Sequence, residues 1–241
     1  LHKKRLRKTF LNEIYNMDNK TDFINRFVEK ESSDELSPMN PPGAYSSQKI
    51  EFIPYEKMHP FLQQLIDEHQ RLSDALDKFE RALINWRTKD WIFNKEIDEG
   101  LKNFFEFYDE NIVEHNYKEE KILFPILNQK LIENGEHSTG EKRSTAIDFM
   151  EDEHIKIAQA VALVFNFLGL GSRLSDQKSK EITFESAFNQ GIAVVETFRL
   201  HIHREENVLF LQSMHLFSDS DFIKLTLIKA HPYPSQREGL F

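Results

Sequence analysis

Cysteine is absent from the 241-residue chain, which removes disulfides, thiolate zinc sites, Cys-ligated iron–sulfur clusters and cysteine nucleophiles together. Any metal bound here must be held by nitrogen and oxygen. Glycine and proline are scarce, at eight each, and so few breakers over this length argue against a fold of many short strands and turns. No stretch reaches the roughly 18 apolar residues of a membrane span, and no secretory signal pattern is visible. We therefore expect a cytoplasmic protein with no membrane partner. The net charge of −9 opposes broad nucleic-acid binding. The opening LHKKRLRK, with five Lys/Arg in eight residues, reads as a solvated end.

What is present points to helices. Phenylalanine is abundant, at 21 residues, alongside many Leu, Glu and Lys. Residues 1–50 form an N-terminal extension, with helical fragments (RLRKTFLNEIYN, TDFINRFVEK) and a Pro/Ser/Gly-rich linker, SSDELSPMNPPGAYSS. Residues 51–215 read as one domain of four long amphipathic segments, with breaks near 87–90, 132–140 and 168–180. Residues 216–241 hold a short helix, DSDFIKLTLIKA, expected against the outside of the domain, and a polar tail. The expected fold class is all-α: an antiparallel up-down-up-down four-helix bundle with N- and C-terminal helical extensions.

Each segment carries a stripe at alternating steps of three and four. The first is Phe61, Leu65, His69, Leu72, Leu76, Phe79 and Leu83; the second is Leu101, Phe105, Tyr108, Ile112, His115, Glu119, Ile122 and Ile126. The third is Ile147, Met150, His154, Ile157, Val161, Val164 and Leu168; the fourth is Phe184, Phe188, Gly191, Val194, Phe198, His201, Glu205 and Val208. Four histidines and two glutamates thus occupy core positions. An unpaired buried carboxylate would cost several kcal/mol or be forced neutral, so something must compensate them.

An internal repeat selects the residues that matter. HNYKEEKILFP (115–125) matches HIHREENVLFL (201–211) at His, both Glu, Leu and Phe, and DEHQRL (67–72) lies over DEHIKI (152–157). The spacings agree: 46 residues from His69 to His115 and 47 from His154 to His201. One helical hairpin therefore occurs twice. With a short loop, such a spacing puts both histidines of a hairpin at one level. His201 and His203 diverge by roughly 200° on a helix, and Tyr117 stands where a counterpart of His203 would be, so His201 is the one that faces inward.

A His-x3-Glu pair sits one turn apart, about 6 Å along the axis and roughly 40° around it, so both side chains reach a shared cavity. Imidazole plus carboxylate suits iron, manganese or zinc, and two carboxylates among four histidines can bridge two metals about 3.5 Å apart. Two His and two carboxylate oxygens would give each ion four ligands, leaving room for a bridging oxo or hydroxo group and an exchangeable position. A lone core histidine is ordinarily a hydrogen-bonded core residue, and His-x3-Glu alone arises often by chance. Six such residues on four core stripes, duplicated with their spacing, favour a dinuclear site. Outside the set, His59, His137, His203, His215 and His231 read as surface or loop histidines, and Glu120 and Glu206 as solvent-facing. Glu68 and Glu153 precede candidate ligands and could orient an imidazole N–H. Tyr108 reads as a packed aromatic rather than a redox residue.

The pattern H…H-x3-E…H…H-x3-E, with EEKILFP and EENVLFL after the second and fourth histidines, resembles the hemerythrin-like HHE cation-binding superfamily over roughly residues 58–215. The resemblance implies a four-helix bundle around a non-haem di-iron centre that meets O2, NO or peroxide. By residue matching, His69 and His115 would ligate one iron and His154 and His201 the other, with Glu119 and Glu205 bridging. Oxygen-carrying hemerythrins have a further His one turn after the third ligand, where this chain has Ala158. The symmetric set looks more like HHE proteins associated with repair of iron centres, and like the iron-sensing HHE domain of an F-box protein. The repair proteins usually bring a cysteine-bearing N-terminal domain, and residues 1–50 hold no cysteine. The expected cofactor is two Fe ions, with Mn or Zn as alternatives, and the expected partner is a small diatomic or peroxide ligand. Three functions follow: binding or reduction of that ligand; iron or oxygen sensing that signals to a protein partner or homodimer through the terminal extensions; and a metal-free scaffold, which leaves the six polar core positions unexplained.

Overall fold

The computed structural model describes residues 51–140 and 143–229. The expected N-terminal fragments, the linker and the polar tail lie outside the described residues. Five helices and one helical turn, Tyr55–Lys57, make up the regular structure, with no strand among the described residues.

Helix α1 is Pro60–Thr88. His59 starts it, accepting the Phe61 N–H on Nδ1 at 3.2 Å, and Pro60 fills the first position, where a missing N–H costs nothing. Asp90 and Trp91 take positive φ of 52° and 64°, turning the chain into α2, which runs without a break over residues 95–133. Asn94 caps α2 by accepting from the Ile97 N–H at 3.0 Å, and Gly135, at φ 83°, follows its end in the left-handed conformation glycine tolerates. Helix α3 is Ala146–Arg173, opened by a reciprocal Thr145–Asp148 cap. Helix α4 covers residues 177–216 after Asp176 caps the Ser179 N–H at 2.8 Å, and α5 is Asp219–Lys229.

The break expected over 168–180 shrinks to a connector between Arg173 and Gln177. Its glycines do not stop the helix. Gly171 lies inside α3, where a Cβ would meet the Phe184 ring at 2.3 Å, so its missing side chain serves close packing of α3 on α4. Helix α3 also departs from the expectation on membrane spans: by length and composition it is apolar enough to cross one. Residues 157–172 carry no charge, and Gln159 and Asn166 interrupt the run without ending it. The inner face of the same helix carries Glu153 and His154 into the core.

Most stripe residues are buried as expected, and three are displaced by one position. The π-helical turns Tyr108–Ile112 and Glu119–Leu123 in α2, and Glu205–Leu209 in α4, each bond i to i+5 and so insert one residue. Beyond them a stripe extrapolated at 3.6 residues slips: Leu127 and Leu209 are buried, while Ile126 is half-buried and Val208 exposed. On the other side of the first π turn, Phe104 rather than Phe105 is buried.

The four long helices surround a core consistent with a four-helix bundle, and that core is split along its length. One apolar cluster includes Leu72, Phe79, Trp86, Phe104, Ile157 and Phe198. The other includes Phe61, Leu65, Phe124, Leu127, Met150 and Phe210. Leu225 of α5 is fully buried in this second cluster, so the short helix completes the core instead of lying against its outside. The polar core residues sit between the two clusters: His69 between Leu65 and Leu72, and His154 between Met150 and Ile157. Apolar packing closes both ends of this layer and keeps water from substituting for a missing charge.

Candidate metal centre

All six residues expected to converge do so. His69, His115, Glu119 and Glu205 form one group, and Glu119, His154, His201 and Glu205 a second, with one donor atom from each residue within 4.8 Å of the others in its group. None of the six is more than 4% exposed. The glutamates belong to both groups; the histidines divide between them.

Pairing follows the hairpins. His69 Nε2 lies 3.0 Å from His115 Nε2, and His154 Nε2 lies 2.9 Å from His201 Nε2. Each carboxylate places one oxygen at each pair. Glu119 Oε1 is 3.3 Å from His115 Nε2 and its Oε2 is 3.4 Å from His154 Nε2. Glu205 Oε1 is 3.2 Å from His201 Nε2 and its Oε2 is 3.2 Å from His69 Nε2. All four oxygens are buried with no directed hydrogen bond among the described residues. The imidazole nitrogens come close enough for charge attraction without supplying that bond.

The outer nitrogens are all occupied. His69 Nδ1 is 2.9 Å from Glu206, His115 Nδ1 2.8 Å from Glu68, His154 Nδ1 2.9 Å from Glu120, and His201 Nδ1 3.2 Å from Glu153. An ionised carboxylate only accepts, so each Nδ1 carries the proton and each Nε2 is aimed inward. Glu68 also accepts from Lys118 Nζ at 2.8 Å, and Glu153 from Arg204 Nη1. Burial would raise the Glu68 carboxyl, yet His115, Lys118 and Gln64 bring it down to about 2. His201 and Arg204 hold Glu153 below its ordinary range against the same opposition.

The layer calls for positive charge at its centre. Burial alone would depress the imidazoles, but Glu119 and Glu68 raise His115 to about 10, and Glu205 and Glu153 raise His201 to about 10. His69 and His154 are raised too, against burial, by Glu205 and Glu206 and by Glu119 respectively. In return, His115 and His154 hold Glu119 well below the usual carboxylate range despite burial. For Glu205, burial and the Glu119 charge act upward and are outweighed by His201 and His69. Protons or cations can meet this demand, and a donor set of four imidazoles and two carboxylates suits cations.

The expectation that Glu120 and Glu206 face solvent is corrected: their side chains are 28% and 33% exposed and hold His154 and His69. Both were visible in the repeat, but no sequence feature assigned them to the opposite hairpin; Lys118 and Arg204, also repeated, act within their own. The remaining histidines fall largely as expected. His203 and His215 are exposed, His137 bonds the Ser138 carbonyl, and His59 is the half-buried cap of α1, stacked 4.4 Å from Phe222. His231 lies outside the described residues. Tyr108 packs 6.3 Å from Phe198, and burial pushes its phenol up. Ala158 is exposed on α3.

The sequence pattern of the hemerythrin HHE cation binding domain matches residues 61–212. No curated protein and no solved structure gives a match.

Proposed function

The chain belongs to the hemerythrin HHE cation-binding family, and from that premise we propose that it is a non-haem di-iron protein that binds or reduces a small oxidant, O2, NO or peroxide. His69 and His115 would hold one ion, His154 and His201 the other, with Glu119 and Glu205 spanning both. One observation carries this reading: two fully buried carboxylates present four oxygens without hydrogen-bond donors, one oxygen of each toward each histidine pair. The nitrogen pairs fit a shared ion. Separations of 2.9–3.0 Å between the paired nitrogens would let His69 with His115, and His154 with His201, hold one ion each, and imidazole with carboxylate suits iron or manganese.

Bound iron would supply redox chemistry and an exchangeable position for a diatomic or peroxide ligand. The chain's own residues fix the imidazole tautomers, keep two negative charges in place, and exclude bulk water with apolar clusters above and below. The reading includes an antiparallel up-down-up-down order of α1 to α4 and action in the cytoplasm.

Sensing is the second reading, and α5 favours it. This helix packs on the π turn that begins at Glu119, so a change in occupancy reaches the C-terminal segment directly. A protein partner or second copy would then read it. The deciding experiment measures metal content and the optical spectrum of protein purified from its own source, followed by turnover with peroxide and NO. Two irons per chain with turnover supports the redox reading; two irons without turnover, with a large metal-dependent rise in melting temperature, supports sensing. Absence of bound metal at full folding overturns both.

A further inference from the structure

We propose that the second glutamate of each Glu-Glu pair, Glu120 and Glu206, is a positioning residue for the first histidine of the opposite hairpin, so that each ion-binding half is built from both hairpins. The assignment rests on the dinuclear reading above and adds which residues set each half.

The two histidines of a pair are supported differently. His115 and His201, the second of each hairpin, are held by Glu68 and Glu153 of their own hairpins, and Lys118 and Arg204 of the same hairpins neutralise those glutamates. His69 and His154, the first of each, are held from across the core. Glu206 on α4 takes His69 Nδ1 at 2.9 Å, and Phe210 of the same helix stacks on that ring at 5.6 Å and 8°. Glu120 on α2 takes His154 Nδ1 at 2.9 Å, and Phe124 stacks on that ring at 5.9 Å and 16°. One exchanged arrangement thus appears twice.

The π turns explain how one short stretch reaches so far. Phe124 follows Glu119 by five residues, and Phe210 follows Glu205 by five, each pair spanning its π turn. A regular helix would present residue i+4 on the face of Glu119; the inserted residue presents Phe124 instead. Within one turn, therefore, the bridging carboxylate, the carboxylate on Nδ1 and the stacked ring all face the core. The EE-x3-F stretch supplies a bridge to both ions and a two-point grip on the other hairpin's histidine.

The test uses the full chain loaded with iron and challenged with an excess of chelator, reading release per equivalent. Wild type is expected to hold two equivalents. Glu206→Ala should release one of them about 10- to 100-fold faster, the usual cost of removing an orienting partner, and Glu120→Ala should do the same to the other. Glu206→Gln should stay near wild type, because its amide oxygen still accepts from Nδ1. Adding Glu206→Ala to His69→Ala should change nothing further, whereas adding it to His154→Ala should still accelerate release. Metal-free Glu206→Ala and Glu120→Ala should still melt cooperatively, somewhat below wild type because a buried imidazole loses its acceptor, and release is read well below those temperatures, separating positioning from folding. Equal acceleration of both ions, no acceleration, or a Gln variant as weak as Ala would overturn the assignment while two wild-type equivalents leave the dinuclear reading intact. Fewer than two wild-type equivalents would overturn that reading, and this assignment with it.

Discussion

Glu119, on α2, sets its Oε2 3.4 Å from the Nε2 of His154, on α3, so a carboxylate of one hairpin reaches the imidazole of the other at the centre of the core. No donor satisfies that oxygen among the described residues. If a cation is what the carboxylate serves, Glu119→Gln removes half of the bridging charge and should lose at least one metal equivalent. The metal-free variant should melt below the wild-type temperature at neutral pH, because Glu119 and the imidazoles of His115 and His154 hold one another charged and the amide leaves those buried protonated rings without their counter-charge. Elemental analysis and paired thermal melts check both; unchanged metal content would remove the bridge from the proposal.

Affinity for metal should depend steeply on pH. With no cation bound, His115 and His201 are raised to about 10, against about 6.5 in the unfolded chain. The stability they lend to the metal-free fold is fully present below about pH 6.5 and is lost as pH rises through about 10. A cation must displace these protons from Nε2, so binding releases protons and tightens as pH rises. The gap in melting temperature between loaded and metal-free protein should therefore widen from pH 6 to pH 9. A constant or shrinking gap would place the metal elsewhere.

Much of this centre was legible in the sequence because its ligands obey two rules that do not depend on packing detail. His115 and Glu119, and His201 and Glu205, are i,i+4 pairs, and the near-equal spacing of the two hairpins sets the levels at which they meet. What the periodicity could not show was the extra residue of each π turn, which exchanges Val208 for Leu209 and Ile126 for Leu127 in the core. A π turn depends on what the widened turn faces, here a histidine of another hairpin, and a single stretch carries no record of it. Glu120 and Glu206 were misplaced for the same reason: on their own helices they border the solvent side, and only the opposite imidazole draws them in. The charge-free stretch of α3 met no strict count of consecutive apolar residues, so Gln159 and Asn166 hid its overall apolarity.

Truncation of Leu225 tests whether α5 belongs to the core. The side chain is fully buried among Phe61, Leu127 and Leu209, and Leu225→Ala should cost about 2–5 kcal/mol, read from the urea midpoint. Because α5 packs on the π turn of Glu119, the same variant should also lose metal faster to a chelator. Asp221 anchors the helix start, accepting from Ser218 and pairing with Lys130 at 3.2 Å. Ser218, then Lys224 and Lys130, hold its carboxyl below the ordinary range despite desolvation, so its contribution is present above about pH 4 and lost as pH falls through the depressed value. Release of α5 without loss of stability would show that the second cluster closes without it.

Stability and metal binding should separate at the opposite end of the core. Gly100 of α2 faces Ala82 of α1 so closely that an added Cβ would lie 2.7 Å from the Ala82 Cβ. Neither atom can swing aside, so Gly100→Ala must push the two helices apart, and overpacking of this kind costs about 1–3 kcal/mol. The gain in helix propensity from Gly to Ala, about 1 kcal/mol, offsets part of that, leaving a net loss toward the lower end of the range. Residue 100 precedes His115 by some four helical turns, with the cluster of Leu101, Phe104 and Ile112 between them. The variant should therefore unfold at lower urea while retaining the wild-type metal equivalents and chelator release rate. A change in release would mean that strain between α1 and α2 travels to the level of His69 and His115.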